Sequence, residues 1–199
     1  MVGYQGDVAI SLAVYALGYH ESAKILAANM VNRTSYADYE GYPIMFLYRH
    51  SLELYLKAML YKAIQLQCLE AGDCRSADKV FSKHRLDCLL PGLKDVFMAL
   101  EWSWDVRMIG MRSWDDFSRL IKEIDELDRN AEIFRYPVTK NGQYYNESPK
   151  VINVISFGYA LDPILDVLDD AVSFMDDVWQ KKAEVGHYLQ ELAKEWGMI

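Results

Sequence analysis

The sequence predicts an all-α protein: an up-and-down helical bundle of about five helices, with a small β-hairpin inserted before the long C-terminal helix. Three observations favour this fold. Apolar residues recur at steps of three and four over most of the chain, which is the spacing of helix faces. Gly and Pro, 11 and 5 of 199 residues, are too few for a turn-rich all-β fold. One segment, around Asn141-Gly142, places short extended pieces on either side of the strongest hairpin turn signal.

The predicted elements belong to one domain over residues 1–199. The N-terminal helix covers 5–31, with Asp7 as its cap. The second helix begins at Pro43 and ends before Gly72. The buried stripe of the first helix is expected to consist of its large apolar residues, Val8, Leu12, Tyr15, Tyr19, Leu26 and Met30.

The central helices together occupy residues 43–130. A third helix is expected over 83–100, kinked or split at Pro91-Gly92 because proline cannot continue the hydrogen-bond ladder. A fourth begins at Ser113, with Asp116 three residues later in a capping-box-like arrangement.

The hairpin is assigned to 134–146 and the C-terminal helix to 162–196. Asp162-Pro163 supplies a cap and a first helical residue for that last helix. Its apolar residues alternate steps of four and three, a seam that suits packing inside the bundle or pairing with a second copy: Leu161, Leu165, Leu168, Val172, Met175 and Trp179.

The net charge of −8 argues against nonspecific binding of nucleic acid, such as bulk DNA, over the whole surface. That charge is unevenly distributed. Residues 1–100 hold 10 acids and 10 bases, whereas residues 101–199 hold 19 acids and 11 bases. A local site for an anion is therefore expected in the first half, in the form of a pocket. With 3 cysteines, no secretory signal and no apolar run of membrane-spanning length, we expect a cytoplasmic protein without a membrane segment.

The second helix carries the most informative polar residues. Arg49, His50, Glu53 and Lys57 fall within an arc of about 100° on a helix that is apolar nearly all round. Such a helix is central to its domain, so its few charges must be paired. Two interpretations stay open: the residues line a binding site, or they form an i,i+4 ion-pair ladder that braces the helix.

Three segments resemble a family when taken in order. The first segment, Pro43–Leu60, has the pattern Arg-His-x-x-Glu-x-x-x-Lys. The second, Lys83–Leu90, contains His-x-Leu-x-x-Leu, and the third is Phe134–Pro137. Together they are similar to a subgroup of HEPN-domain proteins. The resemblance spans about residues 40–190. It implies an up-and-down helical bundle that commonly dimerises, with members in RNA cleavage, toxin–antitoxin pairs, phage defence and nucleotide handling.

The chain departs from the ribonuclease members of that family in one respect. Those members carry an Arg, four to six other residues and then a His, whereas no arginine here stands five to seven positions before a histidine. The usual metal-independent ribonuclease motif is absent. Whether the chain is an enzyme is left open by the sequence, and a nuclease of another kind or a helical enzyme acting on a small metabolite stays an alternative.

The candidate site combines the polar residues of the three segments. Histidine serves as acid or base near neutral pH, and arginine stabilises phosphate charge through two hydrogen bonds. We assign His50, His84 and Arg49 as candidate catalytic residues. The candidate ligand-binding residues are Glu53, Lys57, Arg135, Lys83 and Arg85. The alternatives are a histidine that satisfies a backbone group at position 84 and an Arg135 paired with Asp125 or Asp128.

No metal or cofactor is expected. Cys68, Cys74, His84 and Cys88 have gaps that match no common zinc module, and buried thiols are the favoured interpretation. The aromatic residues that suggest base stacking are interpreted as core or interface residues: Trp102, Trp104, Trp114, Tyr144 and Tyr145.

The sequence thus favours a HEPN-like protein, a homodimer, that binds RNA or a nucleotide through the polar cluster of the second helix in a defence, toxin–antitoxin or stress role. The alternative is a catalytically inactive interaction or scaffold module with a protein partner, in which the same cluster is a structural brace. The two differ in whether the cluster is open to solvent or sealed and paired.

Overall fold

Three long helices, α1 (Val8–Val31), α2 (Gly41–Ala71) and α6 (Val154–Glu195), pack together at the centre of the fold. The computed structural model describes residues 7–32, 38–71, 78–102, 110–129, 131–145 and 152–195. The shorter elements are a 3₁₀ turn (Asp38–Glu40), α3 (Asp78–Phe81), α4 (Leu90–Ala99) and α5 (Trp114–Leu127). Among the described residues the protein is therefore all-α, as the sequence predicts.

α1 begins at the predicted cap but buries a different face from the predicted one. The Asp7 carboxylate accepts hydrogen bonds from the amides of Ala9 and Ile10, at 2.7 and 3.4 Å. The buried residues are four alanines and one histidine: Ala9, Ala13, Ala16, His20 and Ala23. The predicted stripe was wrong, because alanines let the two backbones approach so closely that the Ser51 hydroxyl donates to the Ala16 carbonyl at 2.8 Å. The large residues of the predicted stripe are half-buried or exposed.

α2 packs against both α1 and α6 and supplies much of the core. It begins at Gly41, so that Pro43 stands in its first turn, where the missing amide hydrogen costs no helical bond. Its predicted end at Gly72 lies outside the described residues. The buried side chains include Tyr48, Leu52, Tyr55, Leu56 and Met59.

The predicted third helix is shorter in the structure: it does not begin at residue 83, and it is continuous through Pro91-Gly92 and not split there. Residues 83–89 form loop and turn, and α4 starts only at Leu90, with Pro91 in its first turn. Proline fits that position because it needs no intrahelical donor there. α5 starts as predicted: the Ser113 hydroxyl accepts from the Asp116 amide at 3.2 Å and donates to the Asp116 carboxylate at 2.8 Å.

The predicted hairpin at 134–146 is reduced to a turn. A single antiparallel bridge joins Val138 and Tyr144, and no strand forms in the described residues 131–145. Gly142 takes the positive φ of 76° that the turn requires. Pro137 lacks the amide hydrogen that would extend the ladder, and a two-stranded ribbon is marginal in water even with it.

α6 begins eight residues before the predicted start at Asp162-Pro163, which was wrong. The Asn153 side chain accepts from the Ser156 amide at 3.0 Å and caps the helix instead. Asp162 is occupied elsewhere, since its carboxylate lies 2.9 Å from Nε2 of buried His20. Pro163 lies inside α6 and has no amide hydrogen to donate to the Tyr159 carbonyl four residues earlier. Tyr159 is exposed. None of the described helices is both long and apolar enough to cross a membrane.

The α6 seam packs inside the bundle. Its five residues from Leu161 to Met175 are buried against α1 and α2, and Trp179 is half-buried. Near Trp179, the fully buried ammonium of Lys62 lies 2.5 Å from Asp7 Oδ2 and 2.7 Å from Asp176 Oδ1, over the Trp179 ring at 5.0 Å. We call Lys62, Asp7 and Asp176 the three-helix clamp, since each residue belongs to a different helix or its cap.

Replacing Lys62 tests the clamp. Lys62→Ala leaves two carboxylates without their cation, and breaking a buried pair in this way costs about 3 kcal/mol of unfolding free energy. Lys94→Ala, on the exposed face of α4, serves as control and should change stability by less than about 0.5 kcal/mol. Urea unfolding followed by circular dichroism measures both. A loss below about 1 kcal/mol for Lys62→Ala would contradict the clamp.

Candidate functional site

The charged residues of α2 form a buried cluster, which we call the α2 brace: Arg49, Glu53 and Lys57. Their relative exposures are 1%, 2% and 5%. The i,i+4 spacing puts them on one helix face, where Arg49 Nη1 donates to Glu53 Oε2 at 2.9 Å and Lys57 Nζ donates to Oε1 at 2.8 Å. The brace is sealed from solvent and paired within itself.

Arg49 also ties two distant loops to α2. Its Nε donates to the Asp128 carbonyl at 3.0 Å, and Nη2 donates to the His84 carbonyl at 2.8 Å. The carboxylates of Asp125 and Asp128 lie 3.9 and 3.8 Å from the same guanidinium. Each of the three guanidinium nitrogens thus has a partner inside the protein.

Glu53 is the acceptor on which the brace converges. Besides Arg49 and Lys57, the ring nitrogen Nδ1 of His84 lies 3.1 Å from Glu53 Oε1. Burial pushes the pKa of Glu53 upward, but the hydrogen bonds and charges of Lys57 and Arg49 outweigh it and hold the pKa below its usual value. Glu53 is therefore ionised at neutral pH. Lys57 also donates to the Phe81 carbonyl at 3.3 Å, which attaches the end of α3.

Two buried acids of α5 and its C-terminus complete the cluster. Asp125 Oδ1 accepts from the Leu86 amide at 2.6 Å, and burial raises the pKa of Asp125 despite that bond and the charge of Arg49. Asp128 Oδ1 accepts from the amides of Glu132 and Ile133 at 2.7 and 2.9 Å. Sequence reasoning named both acids only as partners of Arg135. For Asp125, the sequence contained a signal of burial: this residue lies four positions after Ile121, on the buried stripe of α5.

The candidate residues of the 83–85 segment lie at the rim of the brace. The His84 side chain is exposed, although its Nδ1 reaches Glu53. Lys83 Nζ donates to the Cys88 carbonyl at 3.1 Å, and Arg85 is paired with Asp87 in its own turn. The structure thus joins His84 to Arg49 and Glu53. Arg85 also reaches the cluster, since its Nε lies 3.8 Å from Asp125 Oδ2, whereas Lys83 is engaged locally.

His50 lies outside the brace, in an aromatic environment. Its ring is half-buried, edge-on to Tyr19 at 4.7 Å and stacked on Phe46 at 5.4 Å between centroids. Burial lowers the pKa of His50, Glu53 opposes that effect, and the charges of Arg49, Lys57 and Arg135 add to it. His50 is therefore neutral at pH 7.

Arg135 also lies against the Phe46 ring. Its guanidinium carbon lies 5.7 Å from the Phe46 ring centroid and 5.5 Å from that of Tyr136. Its Nε donates to the Ala131 carbonyl. The expected alternative pairing with Asp125 or Asp128 is not among the described contacts. Arg135 is instead exposed on an aromatic surface.

That surface borders an open groove of about 540 Å³, lined by the first turn of α2, the end of α5 and the segment around the turn at 138–144. We call it the tyrosine groove. Its lining includes one arginine and four tyrosines, namely Arg135, Tyr42, Tyr136, Tyr144 and Tyr145. Tyr144 is 77% exposed, so of the two predicted interpretations, core or interface, the structure excludes the core. The Tyr145 hydroxyl donates to Glu132 at 2.8 Å, which fixes one wall.

In the part of the chain that the structure describes, no cluster of three His, Cys, Asp or Glu residues is placed to hold a metal ion. In the four-residue zinc set considered from the sequence, Cys74 lies outside the described residues. Cys88 is exposed and free, rather than a buried thiol.

The pH dependence of stability tests the role of Glu53. Its pKa is lower in the folded than in the unfolded protein, so its stabilising effect is present above about pH 4.5 and is lost as the pH falls through the folded-state pKa. Glu53→Gln leaves Arg49 and Lys57 buried without their anion. It should cost about 3 kcal/mol of unfolding free energy at pH 7, and the deficit should shrink toward pH 3.

Urea unfolding between pH 7 and pH 3 measures this difference, with Glu123→Gln on the exposed face of α5 as control. A Glu53→Gln deficit that is unchanged across the pH range would show that the carboxylate charge does not stabilise the fold.

Comparison of the chain with protein-family models, with curated proteins and with solved structures yields no match. The similarity to HEPN-domain proteins therefore rests on the three sequence segments alone, and it stays a prediction.

Proposed function

We propose that the protein binds RNA or a nucleotide in the tyrosine groove, with Arg135 contacting phosphate and the tyrosine rings contacting bases. The observation that carries the proposal is the groove itself: an arginine without an ion pair among the described residues, surrounded by exposed tyrosine rings. The sequence favours the same class of ligand but assigns it to the polar cluster of α2. That cluster is sealed and paired, so the site proposed here is the neighbouring surface and differs from the predicted one.

The chemistry of the groove suits a nucleotide better than a purely apolar ligand. Aromatic side chains stack on any nucleobase, and each stack contributes about 1–3 kcal/mol. A guanidinium binds phosphate through two hydrogen bonds and also stacks on rings. The groove is a local pocket, as binding of an anion by a chain with net charge −8 requires.

In this proposal the α2 brace supports the groove rather than touching the ligand. Arg49 holds the Asp128 carbonyl, and the Asp128 carboxylate holds the amides of Glu132 and Ile133. The segment that continues from Ile133 to Pro137 lines the groove. The buried charges thereby fix the backbone that presents Arg135.

The proposal assigns no reaction to the groove. Neutral His50 adjoins it through Phe46, and His84 lies at the rim of the brace, so each stays a candidate for acid–base chemistry. A role in phage defence, in a toxin–antitoxin pair or in stress is what the HEPN resemblance implies, and it belongs to the proposal on that ground.

A second candidate function is favoured by the saturation of the brace. Arg49, Glu53 and Lys57 direct their polar atoms at one another and at backbone carbonyls. This is the arrangement expected of a structural brace in an interaction module that has no nucleotide ligand and binds a protein partner.

Binding of a fluorescein-labelled single-stranded oligo(U) and of AMP tests the first candidate. We expect Arg135→Gln and Tyr136→Ala each to weaken binding about 5- to 100-fold, since each removes one charge-assisted or stacking contact. Matched controls are Arg119→Gln on α5 and Tyr188→Ala on α6, both exposed and outside the groove. Fluorescence anisotropy at about 50 mM salt measures the oligonucleotide; AMP is measured by competition and also by direct calorimetric titration.

Competition by AMP would identify a mononucleotide ligand, whereas binding of oligo(U) alone would identify RNA. If neither probe binds, or if the groove variants and the control variants bind equally well, the proposal is refuted and the interaction module is favoured.

A further inference from the structure

We infer that a pocket between α1 and α6 binds a small organic cation, a primary ammonium group on a short apolar chain, with the carboxylate of Asp162 as its acceptor. The pocket has a volume of about 300 Å³ and is lined by the C-terminal part of α1 (24–32), the first turns of α6 (155–162) and Tyr48 of α2. We call it the α1–α6 pocket. It shares no lining residue with the tyrosine groove, so the inference does not rest on the proposed function.

Asp162 presents a carboxylate of fixed orientation to the pocket. The ring of His20, which is 1% exposed, holds this carboxylate, with Nε2 at 2.9 Å from Oδ1. The Asp162 side chain itself is 28% exposed and lines the pocket. Since the two oxygens of a carboxylate accept about four hydrogen bonds, lone pairs remain for the N–H groups of a ligand. His20 thus positions an acceptor that a ligand can reach.

Tyr48 forms the buried floor of the pocket. Burial and the neighbouring Asp162 raise the pKa of Tyr48, so its hydroxyl keeps its proton at neutral pH and donates to the Asp162 carboxylate. Gly158 leaves the room for this contact, because a Cβ there would lie 2.9 Å from the Tyr48 hydroxyl oxygen. The floor therefore adds a second support to the acceptor and carries no charge of its own.

The charge balance around the pocket favours a cationic ligand. Lys24 belongs to the pocket wall, but its Nζ already lies 2.8 Å from Glu21 and 3.9 Å from Asp166. Together with Asp162, these groups supply three carboxylates for one ammonium. Even a protonated His20 would leave one negative charge in excess, so a positive ligand is stabilised here and a negative one is repelled.

The end of α1 adds to the negative potential. Ala28, Val31 and Asn32 line the pocket where the helix stops. The last carbonyls of a helix carry the negative end of its dipole, and the last turn of α1 contains no basic residue to offset it. A cation in the pocket therefore interacts favourably with both the helix end and Asp162.

The rest of the wall selects an organic ligand. Ala27, Val31 and Ile155 supply apolar surface, and a pocket of this volume is at the small end of ligand sites. A short hydrocarbon chain would pack on that surface, whereas an inorganic cation would leave it unused. No cluster of three metal-binding side chains is found in the described ranges, which also disfavours a metal ion.

The polar contacts suit a primary ammonium group. The N–H groups of a primary ammonium donate to the Asp162 carboxylate, and the ring of Tyr159, which is 73% exposed, attracts the same charge through its face. A quaternary ammonium has no N–H to donate and is bound by a cage of several aromatic rings. Among the described lining residues, Tyr159 is the one exposed ring.

A two-dimensional ¹H–¹⁵N NMR titration with n-butylammonium chloride at pH 7 and constant ionic strength tests the inference. We expect saturable shifts of the amides of Val31, Asn32 and Gly158, with a Kd of about 0.1–10 mM for so small a ligand. 1-Butanol and butyrate have the same chain without the positive charge. Each should bind at least about 10-fold more weakly, because neither has an ammonium group to pair with Asp162.

Asp162→Asn should weaken n-butylammonium binding at least about 10-fold, since it removes the charge but keeps an oxygen that accepts from His20. Tyr159→Ala should weaken binding about 2- to 5-fold through loss of the exposed ring. Because Tyr159 is exposed, this variant keeps the test valid if Asp162→Asn fails to fold, which circular dichroism checks. Asp170→Asn and Tyr188→Ala, both exposed on α6 outside the pocket, are the matched controls and should bind normally.

Lys24→Gln distinguishes a cation from an anion by the sign of its effect. Removing this ammonium leaves Glu21 and Asp166 without their partner. The affinity for n-butylammonium should therefore rise about 2- to 5-fold. An anionic ligand would lose affinity in the same variant.

Four results would overturn the inference. The first is the absence of saturable shifts at the pocket amides, and the second is equal binding of 1-butanol and n-butylammonium. The third is binding of butyrate that Lys24→Gln abolishes, which would identify an anion site. The fourth is an equal effect of Asp162→Asn and Asp170→Asn, which would show only general attraction of cations to the acidic helix. None of these results bears on oligonucleotide or AMP binding in the tyrosine groove.

Discussion

The buried guanidinium of Arg49 constrains the part of the molecule that has little regular secondary structure. A charge removed from water is costly unless its partners surround it, so the groups that pair with Arg49 must be held where it lies. Those groups come from Glu53 on the same helix, from the carbonyl of His84 and from the carbonyl of Asp128. Two loops are thereby fixed to α2 by hydrogen bonds to one side chain. The tyrosine groove depends on the same contact, because Asp128 in turn orders the backbone that leads to Arg135.

The fold was predictable where a local interaction decides the structure. Asp7 and Ser113 cap their helices because the bonds involved span only two or three residues. The inner face of α1 was not predictable from periodicity, since periodicity gives weight to large apolar residues and the contact is made by alanines. The start of α6 was missed for a related reason. Asp162 followed by Pro163 is a pattern typical of a helix start. In the folded chain, however, the Asp162 carboxylate pairs with His20, which is 142 residues away in the sequence.

The candidate site was predictable as a set of residue types but not as an arrangement. The spacing of Arg49, Glu53 and Lys57 predicts that they share one face, and a helix with few other charges indicates that they are paired. Whether that face is open or sealed depends on segments far along the chain, above all on the carbonyls of His84 and Asp128, which accept hydrogen bonds from Arg49. A local sequence pattern cannot indicate a contact between residues so far apart in the chain. The exposed position of Tyr144 was also hidden, because a tyrosine in a turn has the same composition signal as a tyrosine in a core.

The two carboxylate oxygens of Asp7 bind different groups. Oδ1 accepts the amide of Ala9 at the start of α1, and Oδ2 binds the ammonium of Lys62. The beginning of the helix and the buried cation therefore share one side chain. Helix ends usually fray at almost no free-energy cost, independently of the core. Here the first turn of α1 cannot open without uncovering a cation that also holds α6 through Asp176. The first turn of α1 is thus tied to the bundle through Asp7, and we expect its amide hydrogens to exchange with solvent more slowly than those of a helix end that frays independently.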